Sequence, residues 1–362
     1  MRMTTDQHIE FCLNEADFRK AFSAMAGNAG KLFIVHGHRS YPSCGAKALV
    51  DEVISQLGKE MIEFEDFSEN PKKEDVDHGV AMMLQDLPDV MIAVGGGSVM
   101  DMAKLIRFYS HLMIPLVAIP TTAGTGAEST QFAVCYINGV KHSISDPSIL
   151  PDQVILYPPF TYRNGRYLTA CTGFDALAQA IEAYWNINAT AESDEYAISA
   201  IEKIYPILGN EELSSEDRCA LLRGANAAGK AINITRTTVP HALSYTLTSK
   251  YGYPHGHAVA LTFPFFLKYN LDGCELAYRG NNYENYVAKM HRLRSLLKVG
   301  NKPFTVMKEY LHRLGLDFDP NRDFDDLAVV HGLNLERAGN TPIAIDNDVI
   351  LSAVKSIREQ IE

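Results

Sequence analysis

The chain has 362 residues, enough for about two domains of ordinary size and for a core that needs no disulfide staples. Its 33 Lys and Arg against 44 Asp and Glu leave a formal charge of −11, which argues against a nucleic-acid backbone as partner. With 46% hydrophobic and 21% charged residues it has the composition of a folded, water-soluble protein, not of a disordered or fibrous one.

Met1 to Glu15 contain no basic segment followed by an apolar stretch, and no apolar run approaches the roughly 20 residues that span a bilayer. Six cysteines (Cys12, Cys44, Cys135, Cys171, Cys219, Cys274) are scattered without CxxC spacing. Together these features predict a cytoplasmic protein with free thiols and no membrane partner.

From Lys31 the run KLFIVHG is apolar and β-branched, AKALVDEVISQLGKEM follows with helical spacing, and VMIAVGGGS repeats the strand signal up to Val94. That alternation predicts βαβ units on a parallel sheet. After the first of these strands stand His36, Gly37, His38, Arg39 and Ser40, without GxGxxG and without the acidic residue that bonds the ribose 2′-hydroxyl of NAD. Gly37 leaves room, and His38, Arg39 and Ser40 offer donors. The stretch therefore predicts the 2′-phosphorylated coenzyme NADPH, with NADH as the alternative; the plain structural reading has His38 and Arg39 simply facing solvent.

The next strand runs into Gly95, Gly96, Gly97 and Ser98, and VMDMAKLIRFYS continues with helical periodicity. Glycines here let the backbone approach a diphosphate, which the helix N-terminus then meets with free N–H groups. IPLVAIPTT (Ile114 to Thr122) is a third strand signal and opens a loop with Thr121, Thr122, Thr125 and two glycines. Two such loops at the carboxyl edge of one sheet predict a nucleotide site. After DQVILYP (Asp152 to Pro158) the pattern changes at TYRNGR. FDALAQAIEAYW, SDEYAISAIEKIYPIL, DRCALLRGANAAGKAIN and NYVAKMHRLRSLLKVG repeat apolar residues at helical spacing with few strand candidates between them. The expected organisation is a Rossmann-like α/β domain over residues 1–162 and an all-helical domain over residues 163–362.

Within the helical half, Asp175 and Gln179 lie four apart on one helix face, with Glu182 a turn further on. His241, His255 and His257 follow. One carboxylate and two imidazoles form a ligand set for a divalent metal with an open position, although each histidine alone has an ordinary structural reading.

GGGSVMDMAK, PTTAGTGAE, FDALAQAIEAY and HALSYTLTSKYGYPHGHA together closely resemble the iron-containing (group III) alcohol dehydrogenase family, in matching order from about Lys31 to Asn270 and weakly through RAGNTPIAID. The resemblance implies a dehydroquinate synthase-like plan of two domains with the active site between them. It also implies NAD(H) or NADP(H) as coenzyme, Fe2+ or Zn2+ as the metal, and an alcohol or aldehyde as the small-molecule substrate. A homodimer is common in similar proteins, though no residue demands one. By position, the metal ligands fall on Asp175, Gln179, His241 and His255. Coenzyme contacts fall on Gly96, Gly97 and Ser98, with Asp101 nearby, and on Thr121, Thr122, Thr125 and Lys141, the last also readable as a surface charge.

Three departures stand out. Gln179 occupies a position that is usually His in iron-binding members, which weakens the case for iron. Tyr245 stands where many members carry a proton-relaying His, so Tyr245 or His257 is the candidate proton donor. Thr235-Arg236-Thr237-Thr238 replaces a small apolar turn, and an arginine flanked by hydroxyls suits an anion. AINITRTTVPHALSY is similar to the phosphonoacetaldehyde reductase branch, which predicts Arg236 as the anchor of an acidic aldehyde; the bland reading pairs Arg236 with a helix carboxylate. Alternatives are a general short-chain alcohol dehydrogenase, a sugar-phosphate cyclase of the same plan, whose usual Glu at the first ligand position Asp175 lacks, and a non-catalytic nucleotide-binding relative.

Overall fold

Apolar runs flanked by amphipathic ones fold as strands covered by helices. The computed structural model describes residues 7–359 and divides into a unit that ends at Asn164 and one that begins at Gly165. The first unit contains His8–Phe11 (β1), Glu15–Ala26 (α1), Lys31–His36 (β2), Ser40–Ser43 (α2), Ala46–Leu57 (α3), Glu60–Phe64 (β3), Lys73–Asp86 (α4), Val90–Gly95 (β4), Gly97–Ser110 (α5), Leu116–Pro120 (β5), Phe132–Ile137 (β6), Val140–Ser145 (β7) and Gln153–Leu156 (β8).

Six of these strands form one parallel sheet in the order β1-β8-β5-β4-β2-β3. β4 and β5 are buried along their whole length, as strands covered on both faces by helices must be. β2 connects outward to β3, whereas its neighbour β4 connects the other way, to β5. The order of the chain thus reverses between β2 and β4, and ligands of open α/β sheets bind at such a point, outside the carboxyl ends of the strands. The loops after His36 and Gly95 lie there side by side, since His36 pairs in register with Val94.

The sequence reading missed β1, α1 and an antiparallel hairpin formed by β6 and β7. The hairpin turns on Asn138 (φ 52°) and Gly139 (φ 78°). A two-residue loop with both residues left-handed is the turn that Asn-Gly favours, so the signal was present in INGV.

The second unit contains Arg166–Trp185 (α6), Ala191–Leu208 (α7), Ser215–Thr235 (α8), Val239–Ser249 (α9), His255–Leu271 (α10), Tyr283–Leu296 (α11), Pro303–Leu314 (α12), Asp326–His331 (α13), Leu335–Ala338 (α14) and Asn347–Ser356 (α15). Among its described residues the β pairing is a single bridge, Tyr278 to Ile343, in line with the helical character read from the sequence. α6 is buried at every position from Gly173 to Trp185, packed by α7, α8 and α10. A helix apolar nearly all round belongs in a core, so the polar Asp175, Gln179 and Glu182 on it are buried and must find partners. No helix among the described residues is long and apolar enough to cross a membrane.

Candidate metal centre and nucleotide cradle

The cradle in the first unit is built from backbone. Gly96 caps α5 in extended geometry, so the helix opens towards the loop with unspent N–H groups. A Cβ on Gly97 would approach Thr125 Cγ2 to 2.9 Å, and one on Gly96 would meet Thr122 Oγ1 at 3.3 Å. The two loops therefore pack so closely that a side chain at Gly97, and to a lesser degree at Gly96, would press on the threonines of the second loop. Thr121 N–H donates to Gly95 O at 3.0 Å, and Asn164 Nδ2 donates to Thr121 O at 2.9 Å.

Below the cradle, Lys104 is fully buried and donates to Ala127 O (2.5 Å), Phe132 O (2.9 Å) and Thr130 Oγ1 (3.1 Å). Burial lowers its pKa to about 8, against the pull of Asp101 and Glu128. Asp101 accepts from Val134 N–H at 3.1 Å. Burial raises its carboxyl to about 6, with Lys104 and Lys141 acting the other way. Of the expected coenzyme contacts, Asp101 and Lys141 are thus brought together, with Asp101 tying α5 to the hairpin.

Around the first loop the structure adds residues that the linear reading did not contain. β3 runs parallel to β2 with Ile34 opposite Glu63 and Val35 opposite Phe64, which carries Glu65 level with His36 and Gly37. Glu65 Oε2 lies 3.2 Å from His38 Nδ1, and Glu63 Oε1 lies 3.2 Å from His36 Nε2. Burial lowers the His36 pKa although Glu63 and Glu65 oppose it. Arg39 is exposed and Ser40 half-buried. His38, Glu65, Asp66, Phe67, Ser68, Lys72 and Asp75 line an open cavity of about 510 Å³. A carboxylate just past the end of β3, Glu65, thus lies beside the first loop.

In the second unit Asp175, His241 and His255 each offer one ligand atom, all within 4.8 Å of one another. Asp175 comes from the buried helix α6, His241 from the first turn of α9 and His255 from the start of α10. The close approach of α10 to α6 depends on Gly256, where a Cβ would run into the Cys171 carbonyl and lie 3.1 Å from Asp175 Cβ. His241 Nε2 is 3.0 Å from Asp175 Oδ1, and His241 Nδ1 is 2.5 Å from Glu182 Oε1. Glu182 is wholly buried, and its other oxygen accepts from Thr238 N–H (2.5 Å) and Thr238 Oγ1 (2.8 Å). Trp185 Nε1 donates in turn to Thr238 Oγ1 at 3.1 Å.

A carboxylate that holds the far nitrogen of a ligand imidazole fixes its tautomer and orientation. Glu182 does this for His241, a role the sequence reading did not assign although it placed Glu182 on the right helix face. Burial alone would lower the His241 pKa, but Glu182 and Asp175 push it up to about 9. Burial also works to raise the Asp175 pKa, which His255 and His241 nonetheless bring below its ordinary value. Gln179 Nε2 donates to Asp175 Oδ1 at 3.2 Å, so its amide lies against the cluster and props the carboxylate. The His255 side chain is 36% exposed against 3% for Asp175, which gives the centre one open side. One carboxylate and two imidazoles with an open side fit Zn2+ or Fe2+.

The remaining candidates separate. Tyr245 stands beside the cluster, its ring 6.5 Å from that of His255. His257 does not join the cluster. Its Nε2 donates to Asp317 O at 2.7 Å, which leaves Nδ1 to accept from Tyr167 Oη at 2.8 Å, and burial lowers its pKa. Both ring nitrogens of His257 are thus engaged away from the Asp175-His241-His255 cluster, by Asp317 and by Tyr167. Arg236 ends α8 with φ 65° and ψ −176°, a region that is strained for any residue but glycine. Its carbonyl accepts from Asn186 Nδ2 (3.2 Å) and Thr235 Oγ1 (2.8 Å), and its guanidinium pairs with Glu336 of α14. In the structure the Arg236 guanidinium thus faces a carboxylate of a neighbouring helix.

A parallel α/β unit with a backbone phosphate cradle, followed by a helical unit with an Asp-His-His centre, defines a protein built to hold a nucleotide and a metal. Residues 13–158 match the iron-containing alcohol dehydrogenase profile, and residues 169–315 match the C-terminal profile of the Fe-containing alcohol dehydrogenase family. The chain belongs to the iron-containing alcohol dehydrogenase family. Phosphonoacetaldehyde reductase of Streptomyces viridochromogenes is 35% identical over 212 residues, 50% of this chain and 53% of that protein. Long-chain-alcohol dehydrogenase 1 of Geobacillus thermodenitrificans is 32% identical over 251 residues, 62% of this chain and 64% of its own length. The chain thus spans between about half and two thirds of these two relatives. A crystal structure of an iron-containing alcohol dehydrogenase from Thermotoga maritima matches 97% of both chains with a TM-score of 0.80 and 25% identity.

Proposed function

We infer that this chain is a metal-dependent, NAD(P)H-linked alcohol dehydrogenase that reduces a small acidic aldehyde such as phosphonoacetaldehyde. The observation that carries the reading is the Asp175-His241-His255 cluster backed by the buried Glu182. A divalent metal held by these three side chains would polarise a carbonyl oxygen. Hydride transfer itself is the chemistry of the nicotinamide. The protein's part is to hold the coenzyme diphosphate on the Gly95–Ser98 loop, keep His241 in one orientation through Glu182, and supply a proton to the product oxygen. Tyr245 Oη is the proposed donor, because the Tyr245 ring neighbours His255 whereas His257 spends both nitrogens elsewhere. The acidic-aldehyde reading is supported by the similarity to a phosphonoacetaldehyde reductase.

The test is oxidation of NADPH and of NADH by metal-reconstituted protein, with phosphonoacetaldehyde set against succinic semialdehyde, butanal and glyceraldehyde. Selective turnover of phosphonoacetaldehyde is expected. A preference for butanal would make the enzyme a general aldehyde reductase, and no turnover of any aldehyde would overturn the dehydrogenase reading.

A further inference from the structure

Beside the Arg236-Glu336 pair stands a second arginine with no carboxylate partner among the described residues. Arg337, on the short helix α14, carries its guanidinium over the Tyr245 ring, 5.6 Å from the ring centre, and Tyr245 is the neighbour of His255. Its Nη1 donates to Thr237 Oγ1 at 2.6 Å. That bond uses one of five N–H donors.

The placement of Arg337 is fixed by several independent contacts. Asn334 Oδ1 caps α14 by accepting from Arg337 N–H at 3.0 Å, and Ala338 is buried. Asn340 Nδ2 donates to Thr237 O at 2.9 Å, while Asn340 O accepts from Ile187 N–H at 3.2 Å. Thr237 is itself 1% exposed and lies between the strained Arg236 and Thr238, the residue that holds Glu182. One turn of chain thus orients a metal-ligating histidine on one side and a cation on the other.

A half-buried guanidinium held by a hydroxyl and an aromatic face, with its other donors unspent, is prepared for an oxyanion: the geometry is set before the anion arrives and no internal carboxylate competes. We propose that Arg337, seated on Tyr245 and Thr237, recognises the oxyanion of the substrate, a phosphonate or sulfonate on the carbon next to the aldehyde. Arg236, paired with Glu336, lies on the turn that presents Thr237. This assignment rests on the aldehyde reductase reading above and gives its substrate preference a residue.

Two measurements separate the assignment from that reading. The first is kcat/KM for phosphonoacetaldehyde, sulfoacetaldehyde and propanal in the wild type and in Arg337→Gln, Arg337→Lys and Arg236→Gln. Arg337→Gln should lose about 30- to 100-fold on the acidic aldehydes, mainly through KM, and about 3-fold or less on propanal, as expected when one desolvated charge partner is removed. Arg337→Lys should restore part of the loss, and the better acidic substrate shows which oxyanion the site takes. Equal losses on all three aldehydes would reduce Arg337 to a support for Tyr245, and a selective loss in Arg236→Gln instead would return the role to Arg236.

The second measurement is calorimetric binding of 2-hydroxyethylphosphonate to the metal-loaded protein, which needs no turnover. Binding that is lost in Arg337→Gln supports the assignment even if no aldehyde is reduced, and binding that is absent in the wild type or unchanged in the variant overturns it.

Discussion

The candidate sites in the two units are built by opposite means. The cradle in the first unit works by leaving atoms out: at Gly96 and Gly97 even a methyl group would press on Thr122 or Thr125. The centre in the second unit works by putting polar atoms in, joined in a chain of hydrogen bonds from Asp175 through His241 and Glu182 to Thr238 and Trp185. Added bulk should therefore damage the first site, and lost hydrogen-bonding groups the second.

The sharpest way to break that contrast is to remove a ligand. Asp175→Asn and His255→Ala should each lower turnover by about 10³-fold or more, because the metal's contribution to carbonyl activation goes with the ligand set. Metal content measured by mass spectrometry should fall in parallel, while NADPH binding followed by fluorescence stays within about 2-fold if the cradle is independent. A comparable loss of nucleotide binding would show that the two sites are not separate devices.

Glu182→Gln probes the same network one shell further out. The amide keeps an acceptor for Thr238 but turns an N–H towards the donor on His241 Nδ1, so the imidazole loses its anchor. Metal affinity measured by chelator competition should drop about 10- to 100-fold, the usual effect of losing such a partner. An unchanged affinity would mean that packing alone orients His241.

These two tests also mark what the linear chain could disclose. Asp175, His241 and His255 were legible because helical spacing puts Asp175 and Glu182 on one face and because PHGH follows a short interval after His241. Glu182 was visible as a neighbour, yet its pairing with His241 depends on how α9 packs against α6, which spacing within either segment does not encode. His257 looked equivalent to His255, two residues away on the same segment. On the first turn of a helix such neighbours diverge by about 200°, so one faces Asp175 and the other Asp317. Arg236 and Arg337 were separated by the fold in the same way: the residue flanked by hydroxyls in sequence meets Glu336, and the one far downstream reaches Thr237 and Tyr245.

In the cradle the matching test adds atoms. Gly97→Val should raise the coenzyme KM about 10-fold or more, since overpacking of a tight site commonly costs about 1–3 kcal/mol, with metal content unchanged. Retention of wild-type coenzyme affinity in this variant would show that the Thr125 loop can retreat and that the close packing is not required.

The smallest effect concerns the choice of coenzyme. His38, Arg39 and Ser40 offer donors that favour a 2′-phosphate, but Glu65, brought beside His38 at 3.2 Å by the β2–β3 register, places a carboxylate against it. A carboxylate accepts from a ribose hydroxyl and repels a phosphate, so Glu65 opposes the donors of the loop. Glu65→Gln should raise the ratio of kcat/KM for NADPH over NADH by about 3- to 10-fold, the scale of one partly exposed charge at close range. The shift should shrink as salt is raised from 0.05 to about 0.5 M, because the pair is open to solvent and screened. Gly37→Asp should move the ratio the other way, but its Cβ meets Ser40 Oγ, so Ser40 must turn aside and lose its place as a donor. A ratio that ignores Glu65 and responds only at Gly37 would put the ribose against the β2 loop alone and leave the cavity beside β3 out of coenzyme recognition.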